Sequence, residues 1–272
     1  MPQTYLTTLT HFTHFLTAYI HTLLYLRSLY PRASFVTSRF HNTPVHQSRH
    51  PAVCDWIRDA VSAVRDELLS SSVSRIAIVI FSTDTGGKAT GSTKIMERFM
   101  LDVSQFPVVE KGERNTEIEW EEGVDAEDGR EKEKEKEKAP DADVDVNLSE
   151  SFRAALITLT TRCSQLSPLP PNCSFNISME LKDEADIDPP IGHPRPWIPV
   201  QPSLQKTGRK GGVEKRDDEE RTQGEDLGGL RVTPIRTVEA GVFRFETWVE
   251  EGRAKFELGT AKSSLASSGL GG

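Results

Sequence analysis

Leu9, Phe12, Leu16, Tyr19, Leu23, Leu26 and Tyr30 follow one another in steps of three and four, and Phe15, Ile20 and Leu24 broaden the stripe past one face. This spacing predicts a helix buried on more than one side and ended by Pro31. The next stretch, SFVTSRFHNTPVHQS, alternates weakly about Asn42, which predicts a short irregular hairpin. Beyond it Pro51 suits a first helical turn, and Val53, Ile57, Ala60, Val64 and Leu68 form a second amphipathic helix that runs out in the serines at 70–72. RIAIVIF at 75–81 is a β-branched run short enough for an interior strand. A Gly/Thr loop leads on to KIMERFMLDVS, which pairs with that strand as an antiparallel neighbour.

The apolar pattern then stops and resumes near position 147. Asn147 and Glu150 have capping-box spacing ahead of Phe152, Leu156, Leu159, Cys163 and Leu166, which predicts a third helix, closed by Pro168, Pro170 and Pro171. CSFNISMEL at 173–181 reads as a further strand, and RVTPIRTV and VFRFETWVEE give the tail two more. Strands in runs, without regular βαβ alternation, indicate an α+β domain with helices on one face of a mainly antiparallel sheet.

Charge refines the domain picture. The formal net charge of -8 is concentrated between Glu110 and Asp145, a stretch that includes EKEKEKEK at 131–138, so 110–146 is expected to be a solvated insert. A second polar tract at 203–229 is rich in glycine and in charges of both signs, and its side chains bury too little area to offset the entropy of ordering it. Setting both aside leaves about 200 residues, which suits one compact domain; its expected limits are 5–258, with a flexible tail at 259–272.

Candidate chemistry is sparse. Cys54, Cys163 and Cys173 lack CxxC spacing and are odd in number, which fits a reducing compartment. The apolar first thirty residues are broken by Thr, His and Arg27, and read as a buried helix, neither a targeting nor a membrane segment. GGKATGSTK lacks the spacing and the following helix of a phosphate loop. His41, His46 and His50 straddle a hairpin and a helix start, so they read as surface or capping residues and not as metal ligands. No nucleophile elbow is present, and the acidic pI of about 5.5 speaks against a broad DNA-binding face. Neither a catalytic residue, a cofactor nor a metal is nominated.

Read in order, LLYLRSLYP, TPVHQSRHPAVCDWIRDAVSAV, RIAIVIF, PPNCSF, RPWIP and VTPIRTV…FETWVEE resemble HORMA-domain proteins, most closely the Rev-seven type that serves as accessory subunit of DNA polymerase zeta. The resemblance covers nearly all of the chain outside the two polar tracts. It implies a HORMA fold: three helices packed on a mainly antiparallel sheet, with a C-terminal safety belt over about 182–256 that closes around a partner peptide. Trp56 and Trp197 match family aromatics that hold the proline-containing peptide of the polymerase catalytic subunit; plain core packing is the other reading of each. Val232, Glu246 and Trp248 match the belt positions that meet the C-terminal domain of the Rev-one polymerase. Here Glu and Trp replace the amide and tyrosine usual in the family, and an ordinary half-exposed strand face would look the same. Arg153 matches an arginine used when two HORMA molecules pair, although a solvated helix arginine is the simpler reading.

The implied function is a non-catalytic adaptor in DNA damage tolerance, located in the nucleus, touching DNA only through its partners and no membrane. Lys206, Arg209, Lys210, Lys215 and Arg216 are a candidate import signal within a solvated linker. Two other readings stay open: a spindle-checkpoint HORMA protein using the same belt for checkpoint ligands, and an unassigned α+β enzyme.

Overall fold

The computed structural model describes residues 3–82, 94–118, 140–182, 197 and 229–256, without the side chains of 140–146 and 229–230. The Gly/Thr loop, the EK run, the prolines around Trp197, the basic candidate import signal and the C-terminal tail lie outside the described residues.

Helix α1 (Tyr5–Leu26) opens on a reciprocal capping box in which Thr4 and Thr7 satisfy each other's backbone amides. Leu9, Phe12, Phe15, Leu16, Tyr19, Ile20, Leu23 and Leu24 have no solvent exposure, so the broad stripe does bury more than one side. Each such side chain contributes roughly 1.5–3 kcal/mol of hydrophobic stabilisation. The helix stops at Leu26, short of the last apolar position, because Ser28 turns left-handed (φ 53°) and Leu29 bonds back to the Leu24 carbonyl. Strands β1 (Phe35–Phe40) and β2 (Thr43–Ser48) form the expected hairpin. Its two-residue turn, His41-Asn42, has φ of 44° and 57°, the conformation that suits the twist of a tight hairpin and that asparagine tolerates well. Helix α2 (Pro51–Leu69) starts on its proline and buries Ile57, Ala60, Val61, Val64 and Leu68.

A five-stranded antiparallel sheet runs in the order β5-β3-β4-β7-β6, from β3 (Val73–Ser82), β4 (Lys94–Asp102), β5 (Cys173–Leu181), β6 (Gly229–Ala240) and β7 (Phe243–Gly252). As expected, β3 is interior: Ile78 pairs with Phe99 on one side and Ile177 on the other. The tail strands form a hairpin through Gly241, whose φ of 64° glycine adopts without strain, and β7 joins the sheet through β4. Helix α3 (Pro140–Gln165) packs with α1 and α2 on the sheet face carrying Ile76, Ile78, Phe99, Leu101 and Val249, which gives an α+β fold. The aromatic centre of this layer joins Phe12 and Phe15 of α1, Phe106, Phe152 of α3, and Phe243 and Phe245 of β7; Phe106 and Phe243 stack at 4.2 Å.

Two boundaries of the acidic tract differ from expectation. Residues 110–118 are tied to the start of α1 and the end of α2: the Arg114 carbonyl accepts from Leu6 N–H at 3.3 Å, the Gln3 carbonyl accepts from Ile118 N–H at 2.8 Å, and the Arg114 side chain donates to the Leu69 carbonyl at 2.6 Å. A first-turn amide with no partner inside its helix finds one there. At the other end α3 begins at Pro140, a residue suited to a first helical position, and Asn147 and Glu150 fall inside the helix instead of capping it. Among the described residues, no helix is long and apolar enough to cross a membrane.

Candidate functional site

Strand β5 lies at one end of the sheet order, and no strand among the described residues pairs with its outer edge. An edge of this kind offers a row of backbone donors and acceptors to any extended chain laid beside it. The register places Phe175 opposite Ile80 and Met179 opposite Ile76, so both lie on the helix-covered face. There Phe175 receives Trp56 of α2 edge-on, with ring centroids 5.1 Å apart, and Tyr30 approaches it at 6.4 Å. All three rings are half-buried. Trp56 is thus packed and partly open at once: its neighbour Ile57 is fully buried, and the rotation of one residue turns the indole toward β5.

Tyr30 and Phe175 were missed by sequence reasoning. A usable signal existed for Phe175, since a period of two through Ile177 puts it on the covered face. None existed for Tyr30, which the helical stripe absorbed although it lies outside α1. Trp197 is half-buried and packs against the hydrophobic core, the one described residue between 183 and 228.

The β6–β7 hairpin carries the second group. Glu246, Trp248 and Glu250 share one face of β7, and Val232 sits opposite Glu250, so the structure brings Val232, Glu246 and Trp248 onto one side of the sheet. Val232 is 43% exposed. Trp248 is half-buried and its indole N–H donates to Glu250 Oε1 at 2.9 Å, while Glu250 pairs with Arg98 at 2.8 Å. The indole is thereby fixed by a buried ion pair across the strands. Glu246 is exposed between Asp102 of β4 and Thr237 of β6.

Arg153 stands apart from both groups, on α3. It pairs with Glu150 of its own helix at 3.1 Å, and Ile157, one turn on, is 48% exposed. The three histidines weighed as ligands occupy separate settings: His41 meets the Ser149 hydroxyl at 2.9 Å, His46 stacks on Tyr25, and His50 precedes α2.

A profile of the HORMA domain matches residues 9–197. The chain is 27% identical to the DNA polymerase zeta processivity subunit of Schizosaccharomyces pombe, over 88% of this chain and 91% of that relative. It is 20% identical to the mitotic spindle assembly checkpoint protein MAD2B of Danio rerio, over 87% of each chain. Among solved structures, a chain in the crystal structure of the mitotic checkpoint complex superposes with a TM-score of 0.57 and 17% identity, covering 90% of this chain and 98% of that one, which is a likeness of fold.

Proposed function

The chain belongs to the HORMA-domain family, and on that footing we propose that it is a non-catalytic adaptor subunit of translesion DNA polymerase zeta, acting in the nucleus and reaching DNA through its partners. The observation that carries this reading is the match, over 88% of this chain and 91% of the relative, with the Schizosaccharomyces pombe protein named as that polymerase's processivity subunit. An extended, proline-containing peptide of the catalytic subunit adds to the outer edge of β5, where backbone hydrogen bonds hold it and Trp56, Phe175 and Tyr30 border one of its side chains. The segment carrying Trp197 is the belt that closes over that peptide, and the β6–β7 hairpin is its anchor on the sheet. Release then waits for the belt to open, which makes dissociation slow.

Val232, Glu246 and Trp248 form the surface for the C-terminal domain of the Rev-one polymerase, on a different part of the sheet from β5, so the two partners bind together. Arg153 and Ile157 form the face for a second HORMA molecule. A checkpoint adaptor is the second reading, favoured by the name of the Danio rerio relative. Purified chain incubated with labelled peptides from the polymerase catalytic subunit and from checkpoint ligands separates the two: retention of the polymerase peptide supports the first, and retention of the checkpoint peptides alone overturns it.

A further inference from the structure

Four charged side chains meet under the sheet where β7 ends. Glu97 of β4 has no solvent exposure, Glu251 of β7 has 1%, Lys255 in the short helical segment 253–256 after β7 has 4% and Arg27 at the end of α1 has 7%. Arg27 grips Glu97 with two parallel hydrogen bonds of 2.8 and 2.7 Å and also donates to the Cys163 and Ser167 carbonyls, tying the close of α3 to the same point. The Lys255 ammonium reaches both Glu97 and Glu251. The two glutamates are direct cross-strand partners, an arrangement that repels unless cations are interposed. Arg231 of β6 approaches Glu251 from outside at 3.9 Å, but it is 67% exposed and its charge is solvated.

The cluster has a natural line of division. On the body side stand Arg27 and Glu97, one cation and one anion; on the tail side stand Glu251 and Lys255, again one of each and four positions apart in sequence. A buried pair torn into single ions leaves each charge uncompensated, which is why breaking one is strongly destabilising. Parting this cluster between β4 and β7 instead leaves two intact neutral pairs, so the charge cost of that opening falls on Arg98 and Glu250, the cross-strand pair on the opposite face. The backbone is shaped for the same junction: a Cβ on Gly252 would collide with the Ile95 carbonyl oxygen of β4, so only glycine lets the chain pass close enough to insert Lys255. Gly252 itself pairs with Gly229, the residue at which the chain re-enters the described structure beyond position 197.

We infer that Arg27, Glu97, Glu251 and Lys255 form a latch that fixes the end of β7 and the start of β6 to β4, and that parts as two neutral ion pairs when the belt opens. The inference rests on the adaptor reading for its link to the belt, while the latch itself is tested without any partner. Lys255→Met leaves Glu251 and Glu97 face to face with Arg27 as the one buried cation of this cluster, so the strand ends fray. Lys255→Met combined with Glu251→Met removes the tail's pair as a unit and restores the fit.

The experiment is amide hydrogen exchange read by mass spectrometry on the full chain. The single variant should speed exchange at 249–255 and 229–233 by at least about tenfold, with β3 and β5 unchanged, as a local opening does, and the double variant should return to within about threefold of the parent. Unchanged exchange in the single variant, acceleration spread equally over β3 and β5, or a double variant faster than the single one overturns the latch. A fluorescein-labelled peptide of the polymerase catalytic subunit then reports on the link: it should leave the single variant faster than the parent, and equal release rates overturn the coupling even where the exchange result holds. Failure of the parent chain to bind that peptide counts against the adaptor reading alone, because the exchange measurement stands without it.

Discussion

Trp56 of α2 meets Phe175 of β5 edge to face, ring centroids 5.1 Å apart and planes at 84°, beside the strand edge that no other described strand covers. The indole closes the helix onto the sheet, and under the proposed function it also borders the position of an added strand. Trp56→Ala should weaken binding of the polymerase peptide about thirtyfold or more, an interface-anchor effect of about 2 kcal/mol, and lower folding stability by a further amount of about 1 kcal/mol from the lost ring pair. Fluorescence anisotropy and urea unfolding read the two separately. Equal peptide affinity in a folded Trp56→Ala protein would remove Trp56 from the site.

Trp197→Ala should act on release more than on folding, because the residue is half-buried against the core at its margin. Peptide dissociation measured by competition should be faster by about tenfold with a nearly unchanged association rate, the usual division when an interface contact is lost. A slower association with unaltered dissociation would count against a closing belt.

Trp248→Ala should separate the two partner surfaces. Its indole stands on the face shared with Val232 and Glu246, held there by Glu250. Binding to the Rev-one C-terminal domain should fall by about tenfold or more while the polymerase peptide binds as before. Calorimetric titration with each partner checks this, and loss of both affinities together would show that the hairpin carries one site and not two.

Much of this architecture was legible from apolar spacing. The wide stripe of α1, the interior character of RIAIVIF and the Asn42 turn follow from local rules, and the structure agrees because each element buries the side its period marks out. The start of α3 was not legible, since residues 140–146 carry no apolar period and a helix there is set by its continuation into the Leu148–Leu159 stripe. Glu97 was also hidden. MERFM reads as a strand alternating between core and solvent, and burial of its glutamate depends on Arg27, seventy positions away, and on Lys255 beyond β7. The site residues divide in the same manner: that Glu246 and Trp248 share a face follows from strand period, but the meeting of Trp56 with Phe175 is a tertiary fact.

Three histidines give the fold a sign of pH dependence. Burial pushes His21, His41 and His46 below the ordinary imidazole range, with His11 adding to the effect at His41 and Arg32 at His46. His21 Nδ1 accepts the Ser48 amide hydrogen at 3.3 Å, which only the neutral ring does. A depressed folded pKa contributes stability that is present above the unfolded value of about 6.5 and is lost as pH falls through the folded value. Urea unfolding should therefore show a lower midpoint at acidic pH than at neutral pH, and His21→Gln should reduce the difference. A midpoint that rises on acidification through this window would contradict the burial seen at His21.

The adaptor claim is tested most directly by capturing the tagged full-length chain from extract of its own cells and identifying the retained proteins by mass spectrometry. The catalytic subunit of polymerase zeta should be recovered, should persist through a wash with excess free peptide, and should be lost with Trp56→Ala combined with Trp197→Ala. Capture of a folded chain from which that subunit is absent, or from which excess peptide removes it at once, would contradict it.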